Sequence, residues 1–311
     1  MLGAGVATAL AARGDEVSVL QRSPSGLEFE EFLGDVAEQH VVARACEAQD
    51  AVVHLAAKVS IVGEWSEFER VNVLGTQQLI AAARSAGVKS FVQVSSPSVA
   101  HSGQPLVGVD AMPADPELAR GHYSRSKAMA EQSALSAAAP GFHVVAIRPH
   151  VVWGPGDTQL VGRIVERANQ GRLVLIGGGV ALIDSTYADN AVSAIVAALD
   201  RAAAVSGQAY VVSNGEPRTV AELVTRICRA AGAPEPTRSI PPSIAAAAGF
   251  VAEKAWESVG RHDEPPLTRF LAEQLSTAHW FDQRRTRHDL QWQPAVTLAE
   301  GFARLATSYL A

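Results

Sequence analysis

The chain has 311 residues, of which 48% are hydrophobic and 19% are charged, and its formal net charge is −6. This composition excludes a disordered tail and a fibrous repeat, and it is typical of a globular α/β protein. The acidic balance and the scattered arginines exclude a basic face for nucleic acid. The length allows a large core and more than one compact unit.

Neither a disulfide nor a membrane span is expected. Cys46 and Cys228 lie far apart without metal-ligand spacing, so we expect two buried thiols, no metal site and a reducing cytoplasm. The longest apolar run, residues 244–252, is about half of the roughly 20 residues that a membrane span requires. The apolar N-terminus has no basic residue before Arg13 and predicts a helix rather than a signal peptide.

The first half of the chain alternates between strand-like and helix-like segments. Apolar runs rich in β-branched residues predict strands at 16–20, 51–55, 91–94 and 144–147. A loop is expected to lead up to residues 32–35, and helices are predicted at 3–13, 38–48, 71–86 and from Lys127 to about 139. Strands separated by single helices predict parallel pairing, and hence a doubly wound, Rossmann-type α/β sheet.

The second half has a less regular pattern. Helices are predicted at 160–170, 190–201 and 220–231, with short strands at 173–176 and 209–213 and Pro-rich loops after Gly232. We therefore predict a Rossmann domain formed by residues 1–153 plus 181–212 and a smaller C-terminal substrate domain formed by residues 154–180 plus 213–311.

The candidate chemistry lies between residues 95 and 127. Ser96 follows the strand at 91–94, and Tyr123 and Lys127 are four residues apart at the start of a predicted helix. This spacing places the ammonium beside the phenol, which favours the phenolate and is expected to lower the tyrosine pKa. Ser-Ser and Tyr-x-x-x-Lys each occur by chance in ordinary loops and helices. Their combination in a doubly wound pattern predicts a site that moves a proton to or from a carbonyl oxygen.

Motifs spread over nearly the whole chain resemble those of the extended short-chain dehydrogenases/reductases, in the branch of 3β-hydroxysteroid dehydrogenases and nucleotide-sugar epimerases. The matching segments are 34–36, 54–57, 72–76, 95–96, 123–127 and 148–157. The resemblance implies Tyr123 as general acid, Lys127 as its pKa partner and a ribose ligand, and Ser96 as the holder of the carbonyl oxygen.

The resemblance also implies a site for a nicotinamide cofactor. Asp35 and Val36 would flank the adenine, and Ala56 and Ala57 would lie along the dinucleotide. For Asn72, positioning of a helix is an alternative to direct contact. The further residues that the resemblance assigns to this site are Leu55, Pro149 and Val152, together with Tyr123 and Lys127.

The start of the cofactor site departs from the pattern of such folds, which open with a strand and a Gly-rich turn that meets the pyrophosphate. Here Gly3 matches the last glycine, so roughly ten or more residues of strand and turn are expected to be missing. Their loss would open a groove in the sheet and remove most pyrophosphate donors. A start site assigned too late is favoured over a genuine truncation.

Cofactor choice depends on the residues after the strand at 16–20. NAD enzymes usually place an acidic residue there, whereas this chain has Gln21 and Arg22. An arginine can pair with a 2′-phosphate, so NADP(H) is favoured while NAD(H) stays open. The alternative is a solvated arginine at a strand end.

The substrate is indicated by the second half. Residues 241–259 predict an amphipathic helix that either packs on the second domain or forms the wall of an apolar pocket. Its apolar stripe is Ile244, Ala248, Val251, Ala255 and Val259. The segments 96–99, 182–187, 213–217, 266–270, 273–275 and 279–280 resemble the bacterial 2-alkyl-3-oxoalkanoate reductases of long-chain olefin biosynthesis. This resemblance implies reduction of a long-chain 2-alkyl-3-oxo acid with NADPH.

Other functions stay open. A 3β-hydroxysteroid dehydrogenase also takes a large apolar substrate with an oxygen at a secondary carbon. A nucleotide-sugar epimerase or dehydratase would need cations in the second domain, and a non-catalytic binding protein is supported only by the missing strand. The candidate cations are Arg163, Arg167, Arg172 and Arg218. The expected partners are a small apolar substrate, a second copy in a homodimer and other enzymes of olefin biosynthesis.

Overall fold

The computed structural model describes residues 1–60, 62–258, 265 and 267–310. The strands are β1 (Ser18–Gln21), β2 (Glu30–Leu33), β3 (Ala51–His54), β4 (Ser90–Val94), β5 (Leu106–Val109), β6 (His143–Pro149), β7 (Val152–Trp153), β8 (Leu175–Ile176), β9 (Leu182–Ile183), β10 (Thr186–Tyr187), β11 (Gln208–Val212), β12 (Arg218–Thr219), β13 (Ser239–Ile240) and β14 (His279–Phe281). The α-helices are α1 (Leu2–Ala12), α2 (Gln39–Cys46), α3 (Trp65–Phe68), α4 (Gly75–Ser85), α5 (Gly121–Ser136), α6 (Val161–Asn169), α7 (Ala188–Arg201), α8 (Val220–Ala230), α9 (Pro242–Ser258), α10 (Arg269–Ser276), α11 (Arg284–Leu290) and α12 (Leu298–Leu310). Between them lie a π-helical segment, Glu69–Leu74, and two 3-10 turns, Pro97–Ala100 and Gly177–Gly179.

The main sheet is parallel, with the strand order β11-β6-β4-β3. Alternate residues of its strands point to opposite faces. Val92 and Ile147 pack with α1 and α7 on one face, whereas Phe91 and Val144 pack with α2, α4 and α5 on the other. Helices therefore cover both faces, and the predicted doubly wound α/β fold is confirmed.

Strands β1 and β2 form a parallel pair of their own, with Val19 opposite Glu31. Among the described strands, no ladder joins this pair to the main sheet. The expectation of a loop up to residue 32 is wrong for Glu30 and Glu31, because pairing with β1 extends a strand over these two glutamates. The missing first strand stays a prediction.

Strand β11 is an edge of the main sheet, and α11 covers that edge with side chains. Arg285 Nη2 donates to Ala209 O at 2.6 Å, and Thr286 Oγ1 donates to Val211 O at 2.8 Å. These bonds satisfy carbonyls that would otherwise be open to pairing with another chain. Leu290 packs in the same cluster as the sheet, although the predicted boundary places it in the substrate domain.

The second cluster lies between α6, α8 and α12. Trp153 is fully buried there and stacks on Phe302 with 4.4 Å between ring centroids. Cys228 belongs to this cluster and Cys46 to the sheet cluster, and both are buried free thiols, as predicted. The division into two domains at the predicted boundaries stays a prediction.

Helix α9 packs on α10 through its small residues. A Cβ at Gly249 would lie 2.6 Å from Thr268 C, so only glycine allows this approach. In contrast, Ile244 and Val251 of the predicted stripe are 56% and 64% exposed. The helix packs on another element of the second half, α10, but the apolar stripe is not the face that packs, because the opposite face, with smaller side chains, lets the two helices approach more closely. Its role as a pocket wall stays a prediction, and residues 259 and 266 lie outside the described part of the chain.

Candidate active site

The predicted site residues gather at the carboxyl edge of the parallel strands. In open α/β sheets, ligands bind in the crevice at this edge. The residues at or just after the strand ends are Gln21 and Arg22 for β1, Asp35 and Val36 for β2, Leu55, Ala56 and Ala57 for β3, Ser96 for β4 and Pro149 for β6, whereas Val152 is the first residue of β7. In the main sheet, strand order thus brings segments as far apart in the sequence as Leu55 and Pro149 to the same edge.

Ser96 is held in a fixed turn after β4. The Ser95 backbone N–H donates to Ile147 O at 2.7 Å, which ties the turn to the neighbouring strand β6. Ser96 caps the 3-10 turn, since the Ser98 backbone N–H donates to its Oγ at 3.3 Å. The Oγ atoms of Ser96 and Ser98 are 3.0 Å apart. Two hydroxyls therefore face one point at the end of the sheet.

Tyr123 lies in the first turn of α5 and is half-buried. Burial raises its pKa above the usual range, and a hydrogen bond with Ser96 opposes this shift only in part. The expected lowering of the Tyr123 pKa by Lys127 is wrong in this structure, because loss of water around the phenol outweighs the stabilisation of a phenolate. Ser96 nevertheless acts on the Tyr123 phenol, so the two side chains are neighbours, as a site for a carbonyl oxygen requires.

Lys127 lies one turn further along α5 and is only 4% exposed. Its Nζ donates to Val94 O at 2.5 Å, at the end of β4. Burial lowers the pKa of Lys127 to about 8, and the carboxylate of Glu131 opposes the shift. The ammonium therefore lies close to its titration point, in contact with the strand that delivers Ser96.

A buried ion pair connects α5 to the neighbouring strand β6. Arg148 Nε and Nη2 donate to the two carboxylate oxygens of Glu131 at 2.8 and 2.5 Å, and both side chains are 1% exposed. Arg148 Nη1 also donates to Met112 O at 2.7 Å. This pair fixes the position of α5 relative to β6. It thereby also positions Lys127, which lies four residues before Glu131 on the same face of the helix.

Asn72 connects the loop after β3 to the catalytic helix. Its Oδ1 accepts from Lys58 N at 2.7 Å, and its Nδ2 donates to Lys58 O at 3.1 Å and to Ser126 Oγ at 2.9 Å. The residue lies in the π-helical segment that interrupts the predicted helix at 71–86. These contacts support the positioning alternative for Asn72, and direct contact with a cofactor stays a prediction.

A buried polar network beside β6 was missed by the sequence reasoning. His150 Nδ1 lies 2.5 Å from Asp184 Oδ1, and His150 Nε2 lies 3.0 Å from His279 Nδ1. His279 Nε2 must donate to Gln274 O at 2.8 Å, so in the neutral imidazole its Nδ1 accepts a hydrogen bond from His150 Nε2. Burial lowers the pKa of His279 to about 4. The sequence contains one indication of this network: His150, Asp184 and His279 are polar residues within otherwise largely apolar segments.

The residues described so far lie in a chain with clear relatives. A profile of the 3-beta hydroxysteroid dehydrogenase/isomerase family matches residues 16–242. The chain belongs to this family. It is 39% identical to the 2-alkyl-3-oxoalkanoate reductase of Stenotrophomonas maltophilia, over 99% of this chain and 96% of that protein. The protein of the same name from Shewanella oneidensis is 35% identical, over 88% of this chain and 74% of that protein.

A solved structure supports the fold independently. The dTDP-glucose 4,6-dehydratase of Streptomyces venezuelae, a double mutant with bound NAD, matches with a TM-score of 0.75 and 23% identity, over 99% of this chain and 93% of that chain. As a member of the 3-beta hydroxysteroid dehydrogenase/isomerase family, the protein is an oxidoreductase that uses a nicotinamide cofactor.

The carboxyl edge of this family member fits a nicotinamide dinucleotide. Gly3 lies in the first turn of α1 and is exposed. Ala56, after β3, is exposed. Partial burial tends to raise the pKa of Asp35, but hydrogen bonds from the Ala37 backbone and from Arg70 outweigh it and leave the pKa lowered. An exposed Ala56 and an ionised Asp35 carboxylate thus lie at this edge of the sheets.

Proposed function

We propose that the protein reduces the ketone of a large apolar substrate, a long-chain 2-alkyl-3-oxoalkanoic acid, to the secondary alcohol with NADPH. The observation that carries the proposal is the assembly of Ser96, Tyr123 and the buried Lys127 at the end of β4. The 39% identity to a 2-alkyl-3-oxoalkanoate reductase over nearly the whole chain supports the substrate class.

In the proposed reaction, the nicotinamide supplies the hydride when it is bound. Ser96 donates a hydrogen bond to the ketone oxygen and so stabilises the charge that develops there. Tyr123 donates the proton to the developing alkoxide, since its phenol is protonated at neutral pH. Lys127, with a pKa of about 8, can return a proton to the phenolate from its position one turn away.

The preference for NADPH rests on Arg22, which is exposed and follows β1. Its charge already acts on Asp35, so it lies on the side of the groove where the adenosine would bind. A guanidinium there can pair with a 2′-phosphate. Equal Michaelis constants for NADH and NADPH would contradict this preference.

Oxidation of a 3β-hydroxysteroid is the second candidate, favoured by the family match over residues 16–242. It uses the same three residues with the proton moving in the opposite direction. Initial rates with NADPH and a long-chain 2-alkyl-3-oxo acid, compared with rates for NAD⁺ or NADP⁺ and a 3β-hydroxysteroid, separate the two reactions.

The catalytic assignment is tested by Tyr123→Phe. The change removes the proton donor but leaves the ring, so turnover is expected to fall about 10²- to 10⁴-fold. The dissociation constant for NADPH, measured by fluorescence titration, should change less than about threefold, well below the effect on turnover. Tyr309→Phe, at an exposed tyrosine of α12, is the matched control. Near-normal turnover of Tyr123→Phe would refute the assignment.

The structure gives one observation on the location of the protein in the cell. Within the described residues, no helix has both the length and the apolar character needed to cross a membrane. A cytoplasmic location, a homodimer and association with other enzymes of olefin biosynthesis stay predictions.

A further inference from the structure

Three hydrogen-bond donors converge on a single carboxylate oxygen at the end of β1. The Ser25 backbone N–H donates to Glu31 Oε1 at 2.8 Å, and Gln21 Nε2 donates to the same atom at 3.3 Å. The Ser25 hydroxyl also donates to Glu31 Oε1, while its own oxygen accepts from Leu27 N at 2.9 Å. The loop after β1 is thereby folded around an acidic side chain that comes from the neighbouring strand β2.

These donors form a site suited to an anion. Backbone N–H groups and hydroxyls that converge in a loop are the groups with which proteins bind phosphate oxygens. Arg22, the residue after Gln21, adds a positive charge to the same loop. The hydrogen bonds from Ser25 lower the pKa of Glu31, so the group in the site is an ionised carboxylate.

The position of the site indicates which ligand it would take. In doubly wound folds the residues at this strand end contact the adenosine ribose, where NADPH carries its 2′-phosphate. We propose that Glu31 occupies the 2′-phosphate site of NADPH in the free enzyme and, as an internal competitor, sets the selectivity between NADPH and NADH. This inference rests on the proposed use of a nicotinamide cofactor and deepens it.

Two consequences follow from the geometry. A 2′-phosphate can accept from Ser25 and Gln21 only if the carboxylate leaves, and the departing Glu31 remains a like charge nearby. Removing Glu31 therefore frees the donors and removes the repulsion at once. The alternative role, in which Glu31 binds the ribose hydroxyls of NADH, predicts the opposite pattern, because that variant would lose NADH affinity and gain nothing for NADPH.

The test uses Glu31→Ala and half-cofactors that lack the nicotinamide. Adenosine 2′,5′-bisphosphate and 5′-AMP are titrated by calorimetry into the full-length wild type and variant. The bisphosphate should bind the variant about tenfold more tightly, because a like charge is removed at close range. The affinity for 5′-AMP should change less than about twofold, since it carries no 2′-phosphate. Glu30→Ala, an exposed glutamate next along β2, controls for the general change in charge.

Two further variants keep the result interpretable. Glu31→Gln retains an acceptor for Ser25 without the charge and should give a smaller gain for the bisphosphate. Adding Ser25→Ala to Glu31→Ala removes one donor and should cancel part of the gain. Thermal unfolding checks that each variant is folded.

Several outcomes would overturn the inference. An equal gain in bisphosphate affinity in Glu30→Ala would show a general charge effect. An unchanged or weaker affinity for the bisphosphate in both Glu31 variants would show that the carboxylate does not occupy a phosphate site. A loss confined to 5′-AMP would assign Glu31 to the ribose hydroxyls. If ketone reduction fails while the bisphosphate gain appears, the proposed reaction fails and the anion site stands. If no nucleotide binds any variant, both fail.

Discussion

Replacing Lys127 by methionine is expected to stabilise the folded protein at neutral pH. The lysine is 4% exposed, and burial lowers its pKa from 10.5 to about 8. Holding the ammonium in the folded state at pH 7 therefore costs about 3 kcal/mol relative to the unfolded chain. Methionine fills a similar volume without the charge. It leaves Val94 O without its donor, at a cost of about 1 kcal/mol. The expected net gain in the free energy of unfolding is about 2 kcal/mol.

The sign of the pH dependence provides a second check. Between pH 8 and 10.5 the unfolded chain binds this proton and the folded protein releases it, so the stability of the wild type rises with pH across this window. The advantage of Lys127→Met should therefore shrink above pH 8 and reverse near pH 10.5, where the lysine is largely neutral in both states and the variant lacks only the hydrogen bond to Val94 O, at a cost of about 1 kcal/mol.

The assay is urea unfolding followed by far-UV circular dichroism at several pH values from 7 to 10. Lys89→Met is the matched control, because Lys89 is an exposed lysine whose side chain is 72% accessible. Its removal should change the free energy of unfolding by less than about 0.5 kcal/mol at every pH. A Lys127→Met variant that is less stable than the wild type at pH 7, or a difference that does not change with pH, would refute the reasoning.

Three more substitutions test the surrounding structure by urea unfolding. Glu131→Gln leaves a buried arginine without its counter-charge and should cost about 3 to 5 kcal/mol; a cost below about 1 kcal/mol would contradict the buried pair. Gly249→Val would collide with the backbone before α10 and should cost about 2 kcal/mol, whereas Ala248→Val on the exposed face should be nearly neutral. Val151 has a φ of 43°, which strains a β-branched residue, so Val151→Gly relieves that strain. Its loss in the free energy of unfolding should be about 2 kcal/mol smaller than that of Val152→Gly, where no such strain is relieved. Equal costs at these two positions would argue against strain at Val151.

The spacing of residues along the chain was sufficient for part of this picture. Tyr123 and Lys127 could be paired from sequence because an i, i+4 spacing fixes their face on any helix. The apolar runs at 91–94 and 144–147 likewise predicted strands, and the structure places both in the centre of the sheet, buried on two faces. The polar ends of these strands predicted where the site would lie, because parallel strands share one carboxyl edge.

Other features depend on which segments meet in space. The pKa of Tyr123 is raised rather than lowered because it is set by burial between loops and α5, which local spacing does not report. His150, Asp184 and His279 come from three separated segments, so no local pattern could identify their network.

The residues proposed to set cofactor selectivity show most directly what is local to the sequence and what depends on the tertiary structure. The sequence by itself determined that Gln21 and Arg22 lie at the end of β1, because that boundary is a local property. Only the tertiary structure decided that a carboxylate occupies the loop beside them, since Glu31 reaches it through the pairing of β2 with β1. Strand pairing joins residues by register rather than by distance along the chain.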